Sequence, residues 1–245
     1  MKRAVWIALL AAVAFVVIVL ARMPAAWVLP ARGPQWACGS IDGSLWSGTC
    51  AGLTVSGKPL GDLSWELHPL RLAAGRLTAH LTLGHGPADA AADVELTLFG
   101  QRLIARNLVA DLPLDPALLP SVPAGLHGRA HAELALAEVQ RGVIRQLQGR
   151  IEARNLEERS GNNTALGSYA VSFPGGSGDL VGTLRDLEGP LALEGTLRLT
   201  PAPGFELEGV IAARRDAPPE LVNSLRVLGS PDATGRRPFA LSGTF

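Results

Sequence analysis

Two cysteines are the first residues whose type and spacing could do chemistry. Cys38 and Cys50 are the only cysteines of the 245-residue chain, and twelve positions separate them. In an oxidising compartment such a pair can form a disulfide, which would contribute about 3 kcal/mol of stability by closing the loop between them. Two buried free thiols are the alternative. A zinc site is not expected, because no second close pair of cysteines or histidines completes a set of four ligands.

The histidines are the next candidates for metal or acid–base chemistry. His127 and His131 are four residues apart, a spacing that brings two side chains together only on a helix. The surrounding sequence, HGRAHAELAL, alternates as a strand does, and on a strand the two side chains would lie about 13 Å apart. His80 and His85 flank a predicted turn. We interpret all four as solvated residues and predict no metal site.

The remaining polar motifs do not form a catalytic or cofactor site. The chain has no Gly-x-Ser-x-Gly element of a serine hydrolase, and the segment FPGGSGD lacks the lysine and the helix of a phosphate-binding loop. Glu206 and Glu208 lie on the outward face of a predicted strand. Acidic and basic residues balance at 22 each and aromatic residues are few, so nucleic-acid binding is not expected. The sequence predicts a protein that is not an enzyme and has no cofactor.

The segments that must position any site are predominantly strands with one apolar face. LALEGTLRLT (191–200) alternates apolar and polar side chains, and LTAHLTL (77–83) and DVELTL (93–98) do the same. This period of two is typical of half-buried strands. We expect nine side chains on the apolar face, which forms a core or an open groove: Leu45, Trp46, Trp65, Leu81, Leu96, Leu193, Leu197, Leu207 and Ile211.

Glycines recur within these strands in the pattern apolar residue, any residue, glycine, any residue, apolar residue. Each glycine shares a face with its apolar neighbours, where it permits a bend, a bulge or a close approach of another segment. A sheet with such positions in several strands can curl strongly on itself. Six structural glycines are predicted on this basis: Gly43, Gly149, Gly182, Gly195, Gly209 and Gly243.

The N-terminus is apolar enough to enter a membrane. Residues 1–3 carry two positive charges and precede an uncharged run over residues 4–21, which nearly spans the hydrocarbon core of a bilayer. We interpret this run as an uncleaved transmembrane signal anchor, with residues 1–3 in the cytoplasm by the positive-inside rule. A cleaved signal peptide is the alternative. Residues 22–35 then form a connector, and residues 36–245 form a single β domain on the far side of the membrane.

Helices are few beyond this anchor. The segment PPELVNSLRVLG (218–229) is the best candidate, because Pro218 and Pro219 can begin a helix and Gly229 can end it. The predicted fold class is mainly β. We expect an N-terminal transmembrane helix, then a strongly curled antiparallel β-sheet that forms a β-roll with an open groove, and one or two short helices.

Three segments together carry a resemblance to a known family. They are MPAAWVLP (23–30), GSIDGSLWSGTCAGLTVSG (39–57) and the ending LRVLGSPDATGRRPFALSGTF (225–245). In order and spacing they resemble protein N of the type II (general) secretion pathway of Gram-negative bacteria, over nearly the whole chain. The resemblance implies an inner-membrane component of a machine that moves folded proteins from the periplasm to the exterior. It also implies similarity to the AsmA-like group of anchored periplasmic proteins, which build curled sheets with an apolar groove and are implicated in lipid traffic.

Two functional hypotheses follow. The leading one is a non-catalytic type II secretion component, anchored in the bacterial inner membrane with its bulk in the periplasm, whose partners are other secretion subunits. The alternative is an AsmA-like module that binds or transfers phospholipid in an apolar groove. On either hypothesis, IDGSLWSGTC (41–50) forms the first hairpin of the curled sheet and Trp46 contributes to the apolar interior.

Overall fold

The computed structural model describes most of the chain after the apolar N-terminus. Described are residues 22–97, 101–116, 122–160, 163–176, 178–200 and 204–244, together with Trp6, Phe15 and Val19. The predicted anchor over residues 4–21 therefore lies almost wholly outside the described residues. None of the helices within the described part combines the length and the apolar composition needed to cross a membrane.

The described residues form fourteen strands and four short helical segments. The strands are β1 (Trp36–Ala37), β2 (Ser40–Gly43), β3 (Ser47–Val55), β4 (Lys58–Leu67), β5 (Arg76–Gly84), β6 (Asp89–Thr97), β7 (Arg102–Leu114), β8 (Leu126–Gln140), β9 (Val143–Glu158), β10 (Thr164–Pro174), β11 (Leu180–Glu188), β12 (Leu191–Thr200), β13 (Gly204–Ala213) and β14 (Arg237–Thr244). The helical segments are one α-helix, Pro219–Ser224, and the 3-10 helices Ala25–Trp27, Pro69–Ala74 and Leu225–Leu228. The prediction of a mainly β chain with few helices is confirmed.

All fourteen strands belong to one antiparallel sheet that follows the chain as a meander. From β3 to β14, each strand pairs with the next strand in sequence. Strands β1 and β2 both pair with β3, at different positions along it, and together form one interrupted edge. Strand β14 forms the other edge of the described sheet, which is not closed.

The pairing of β2 with β3 forms the predicted first hairpin. Gly43 ends β2 with a φ of +93°, a left-handed conformation that suits glycine because it has no Cβ. The Oγ of Ser44 accepts hydrogen bonds from the backbone N–H groups of Trp46 and Ser47, at 3.3 and 3.1 Å. Strand β2 thus ends at Gly43, earlier than the alternation predicts. Leu45 and Trp46, which were predicted to lie on the apolar face, are instead half-buried in the turn.

A disulfide ties the interrupted edge to the rest of the sheet. Cys38, between β1 and β2, bonds to Cys50 on β3, with the two Cα atoms 5.5 Å apart. Both cysteines are buried with Ala25 and Trp65 in one apolar cluster. The bond therefore fixes the connection between β1 and β2 to strand β3. It lies in the apolar cluster that also contains Ala25 and Trp65.

The helix predicted over residues 218–229 is present in two parts. The α-helix Pro219–Ser224 has a proline in its first turn and continues into the 3-10 helix Leu225–Leu228. Gly229 follows with a φ of +95°. The 3-10 helix packs against β14, with Leu225 buried.

Reduction of the disulfide is expected to lower the free energy of unfolding by about 3 kcal/mol, because the unfolded chain regains the entropy lost by closing the loop. Urea unfolding followed by circular dichroism, with and without reductant, measures the change. The double variant Cys38→Ala/Cys50→Ala is the control. Its unfolding midpoint should equal that of the reduced protein and should not change when reductant is added. An unfolding midpoint that does not move on reduction would contradict this account.

Candidate functional site

One apolar row of side chains crosses the whole sheet. Directly opposite residues of antiparallel strands share a face, so successive pairs can be followed from strand to strand. Each of β2 to β14 contributes one residue to this central row, in order: Ile41, Cys50, Leu63, Leu83, Ala90, Ala110, Ala132, Ile151, Val171, Leu184, Gly195, Gly209 and Phe239. We call the side of the sheet that carries this row the apolar face, and the opposite side the polar face.

The predicted groove residues on strands lie on this apolar face. On β12 and β13, Leu193 is opposite Ile211 and Leu197 is opposite Leu207, on either side of the central row. These four side chains are half-buried, whereas Glu194, Thr196 and Glu208 on the opposite face are exposed. The predicted alternation of the strand 191–200 is therefore present.

The other predicted groove residues lie far along the sheet from this group. Trp65 on β4 is opposite Leu81 on β5, and Leu96 on β6 is opposite Leu77. Trp65 is buried and Leu96 is half-buried. The predicted residues thus lie on one face of the sheet but form two separate groups. The N-terminal group is on β4 to β6, and the C-terminal group is on β12 and β13.

Burial along the apolar face is uneven. Phe173 on β10 is only 4% exposed and packs with Leu134 and Leu147, and half-buried side chains of β7, β11 and β12 complete this cluster. Toward the last strand the face opens, and Leu241 on β14 is 56% exposed. The short helices of the described chain pack mainly against β2, β5 and β14. The residues described thus include no second layer over the middle of this face.

Aromatic rings cover several glycines of the apolar face from a neighbouring strand. A Cβ placed on Gly182 would lie 2.8 Å from the ring of Phe173, and one on Gly243 would lie 2.7 Å from the ring of Phe205. The same arrangement joins Gly48 to the ring of Trp65. Such cross-strand pairs compensate for the missing glycine side chain. Gly48 was not predicted as a structural glycine, because its partner Trp65 lies on another strand. The one signal in the sequence was its position two residues before Cys50, which places both residues on the same face.

Other glycines allow close approach of neighbouring backbones. A Cβ on Gly195 would lie 2.4 Å from the carbonyl oxygen of Glu208, and one on Gly209 would lie 2.3 Å from that of Glu194. Gly149 has a φ of +139° and stands where the pairing of β8 with β9 shifts register. These three predicted glycines therefore serve backbone geometry.

The polar face carries ion pairs between adjacent strands. Glu138 is buried and accepts two hydrogen bonds from the guanidinium of Arg102, at 2.6 and 2.7 Å. Glu95, also buried, lies between Arg106 at 3.2 Å and Arg76 at 3.5 Å. Both carboxylates were missed by sequence reasoning, which treats a glutamate between apolar neighbours as solvated.

Arginine partners also determine the ionisation of these groups. Hydrogen bonds to Glu138 raise the pKa of Arg102 above its ordinary value. Burial raises the pKa of Glu152, but Arg154 and Arg150, each 2.6 Å away, outweigh it, so this pKa lies below its usual value. Arginines thus compensate the charges of these three carboxylates on the polar face, and this arrangement suits a structural surface.

The four candidate histidines lie on strands or in a bend, but two predictions about them are wrong: His80 lies inside β5 rather than beside a turn, and His131 is not solvated, because its side chain is only 17% exposed. His127 and His131 are on β8, where Nε2 of His131 is 3.2 Å from a carboxylate oxygen of Glu133. Nδ1 of His80 is 2.8 Å from Asp93, whose pKa is lowered by this hydrogen bond. The described residues contain no cluster of three or more histidine, cysteine or acidic side chains that could hold a metal ion.

Tyr169 lies half-buried where β10 pairs with the end of β11. Its hydroxyl donates a hydrogen bond to the carbonyl oxygen of Leu166 at 2.6 Å. Burial, helped by the charge of Asp186 and opposed by that of Arg214, raises the pKa of Tyr169 to about 12. Asp186 in turn pairs with Arg214 and accepts a hydrogen bond from the backbone N–H of Leu193 at 2.9 Å.

Comparison with known proteins gives one consistent result. Residues 34–240 match the family model for protein N of the type II secretion system. A Vibrio cholerae (serotype O1) protein named Type II secretion system protein N is 29% identical, over 99% of both chains. A protein of the same name from Aeromonas hydrophila is 25% identical, again over 99% of both chains. No solved structure gives a significant match.

Substitution of Gly195 by alanine is expected to lower the free energy of unfolding by about 1–3 kcal/mol, because the new methyl group would collide with the backbone of β13. Gly84→Ala is the matched control: it is also a strand glycine, but its Cβ would meet only Asp89, at 3.6 Å. The control should shift stability by no more than about 0.5 kcal/mol. Urea unfolding of both variants measures the difference, and equal effects would contradict the proposed backbone contact.

Tyr169 is the only tyrosine of the chain, so phenolate absorbance reports its ionisation alone. We expect a titration midpoint of about 12 in the folded protein and of about 10 in denaturant. Because the folded pKa is the higher one, the stabilising contribution of Tyr169 is complete below about pH 10 and is lost as the pH rises through the folded pKa. Circular dichroism at each pH verifies that the sheet persists. A folded midpoint near 10 would contradict the burial of the hydroxyl.

Proposed function

Because the chain belongs to the type II secretion system protein N family, it is a component of type II protein secretion, and we propose that it acts there without catalysis, through protein contacts. In this proposal it is anchored in the inner membrane, and its β domain works in the periplasm with other secretion subunits. Its task is to support the export of folded proteins across the outer membrane.

The observation that carries this proposal is the apolar face. It crosses the sheet from β2 to β14 and is half-exposed over the last strands, where Leu241 lies largely in solvent. Extended apolar surfaces on a folded protein typically mark sites of interaction with proteins or lipids. The polar face, by contrast, carries several ion pairs between arginine and carboxylate side chains.

We also propose that the sheet is strongly curled. Phe173 is 4% exposed although a single sheet is all that the described residues build around it, and a flat layer would leave its ring open on one side. Asn107 and Asn155 have positive φ within β7 and β9, next to shifts in strand register. Bulges of this kind bend a strand and increase its twist. The apolar face would then form the inside of an open groove.

The proposed membrane arrangement is supported by the sequence and the disulfide. Residues 4–21 form an anchor with residues 1–3 in the cytoplasm, residues 22–35 form a connector, and residues 36–245 form the periplasmic domain. The bond between Cys38 and Cys50 fits an oxidising compartment such as the periplasm.

A second candidate function is the binding or transfer of phospholipid. The observation that favours it is the small size of the central row in the middle strands, where Ala90, Ala110 and Ala132 follow one another. On the inside of a curled sheet, small side chains leave room for an acyl chain. Bound phospholipid in the purified protein would support this function.

Substitution Leu197→Arg tests the role of the apolar face. It places a charge on that face, and we expect export of secreted proteins to fall close to the level of a deletion strain. Thr196→Arg is the matched control, because the neighbouring residue is exposed on the polar face of the same strand. We expect this variant to secrete normally. Secreted protein in the culture medium is measured by activity and immunoblotting.

Three further measurements make the result decisive. Urea unfolding of both variants separates a lost contact from a lost fold. Crosslinking of the tagged wild-type protein in its native membrane, followed by mass spectrometry, identifies neighbouring proteins and lipids. Normal export after deletion of the whole protein would overturn the proposed function, and abundant phospholipid without secretion subunits would favour lipid binding.

A further inference from the structure

The two edges of the described sheet are protected to different degrees. The edge formed by β1 and β2 is interrupted, disulfide-bonded and flanked by the preceding segment, where Pro24 bridges to Ser44 and Arg32 bridges to Ala37. Strand β14 pairs on one side with β13, and no described strand lies on its other side. The 3-10 helix Leu225–Leu228 contacts β14, but no described residue outside β13 forms a backbone hydrogen bond with residues 238–244. The outward backbone groups of β14 can therefore pair with another strand.

The composition of β14 does not discourage such pairing. Its residues 238–244, PFALSGT, carry no charged side chain. Exposed edge strands normally avoid association through charges, prolines or bulges. In β14 only its first two residues, Arg237 and Pro238, are of these kinds. Leu241 lies in the middle of this stretch and is 56% exposed.

We propose that β14 pairs with β14 of a second copy of this chain, antiparallel and about a two-fold axis at Leu241. Leu241 then lies opposite Leu241 of the second copy, and Phe239 lies opposite Gly243 of the second copy. Ala240 lies opposite Ser242 of the second copy. This pairing goes beyond the secretion function and does not depend on it.

The register follows from two features of the strand. Phe239 opposite a glycine repeats an arrangement already present within the chain, where Phe239 is opposite Gly209 and Phe205 is opposite Gly243. A proline in an edge strand is accommodated with its nitrogen directed away from the sheet. Pro238 and the other even-numbered residues therefore direct their backbone groups outward, and the two-fold axis at Leu241 places even-numbered residues opposite each other as hydrogen-bonded pairs.

The pairing also covers the exposed end of the apolar face. Opposite residues of antiparallel strands share a face, so the apolar faces of both copies would lie on the same side of one continuous sheet. The row of Gly182, Leu197, Leu207 and Leu241 would continue into Leu241 of the second copy. The largely exposed side chain would thereby gain an apolar neighbour.

Single cysteine substitutions test this register in the full-length protein. Opposite residues of a strand pair meet the distance requirement of a disulfide, whereas residues offset by two positions lie beyond about 7 Å and do not. Under mild oxidation, Leu241→Cys is expected to form a covalent dimer. Ser242→Cys is the matched control and is expected to remain monomeric on a denaturing gel. A mixture of Ala240→Cys and Ser242→Cys chains with different tags should form the mixed dimer. The pattern should persist in chains that lack the native cysteines.

A charge at the axis tests the association itself. Leu241→Arg places two like charges opposite each other, and we expect dimerisation measured by analytical ultracentrifugation to weaken at least about tenfold. Leu70→Arg is the control: Leu70 is 90% exposed, lies in the 3-10 helix beside β5, and its substitution should not change the dimer. Circular dichroism verifies that both variants fold.

The outcomes separate this proposal from the secretion function. A wild-type protein that stays monomeric at all concentrations, or equal crosslinking by Leu241→Cys and Ser242→Cys, would overturn the pairing. Crosslinking of Leu241→Cys to a different protein would overturn it too and would identify that protein as the occupant of the edge. A specific Leu241→Cys dimer in cells whose export survives deletion of the protein would support the pairing while overturning the secretion function.

Discussion

The structure depends on one constraint: a sheet with an apolar face and no described second layer must cover that face by itself. Most features of the apolar face answer this constraint. Register shifts and left-handed residues bend individual strands, and rings such as Phe173 lie over glycines of the adjacent strand. The central row keeps small residues where strands β6 to β8 meet. Burial is therefore best in two places, the N-terminal cluster around Cys50 and Trp65 and the cluster around Phe173, and it is poorest at β14.

The polar face meets a different requirement, because charges that are partly withdrawn from water need partners. Glu95 and Glu138 are nearly inaccessible to solvent, yet each contacts arginine from an adjacent strand. Removing one member of such a pair leaves a buried charge without a partner, which is destabilising. The ion pairs therefore favour the correct pairing of adjacent strands and also keep this face soluble. Each side of the sheet thus contributes to strand order, one through apolar rows and the other through arginine–carboxylate pairs.

Local patterns in the sequence predict local structure well here. The alternation of residues 191–200, the first hairpin and the helix near residue 219 are all present, because each depends on neighbours in sequence. The burial of Glu138 could not be predicted, since it depends on Arg102 of another strand. Bulges add a second difficulty, because they restart the alternation within a strand: on β7, Leu103 and Ala110 share the apolar face although an odd number of positions separates them. The existence of an apolar face could be predicted from the alternation. The separation of its predicted residues into an N-terminal and a C-terminal group could not, because it depends on the order of the strands in the sheet.

The meander has a consequence for how the chain acquires its structure. Since each strand from β3 onward pairs with its predecessor, nearly all contacts between strands join consecutive segments of the chain, which keeps the contact order low for an all-β protein. Low contact order favours rapid folding, because little chain entropy is lost before each contact forms. The sheet can therefore grow by adding one strand at a time to a hairpin that already exists. In such an architecture, gain or loss of a terminal hairpin alters the length of the sheet and leaves the remaining pairings intact.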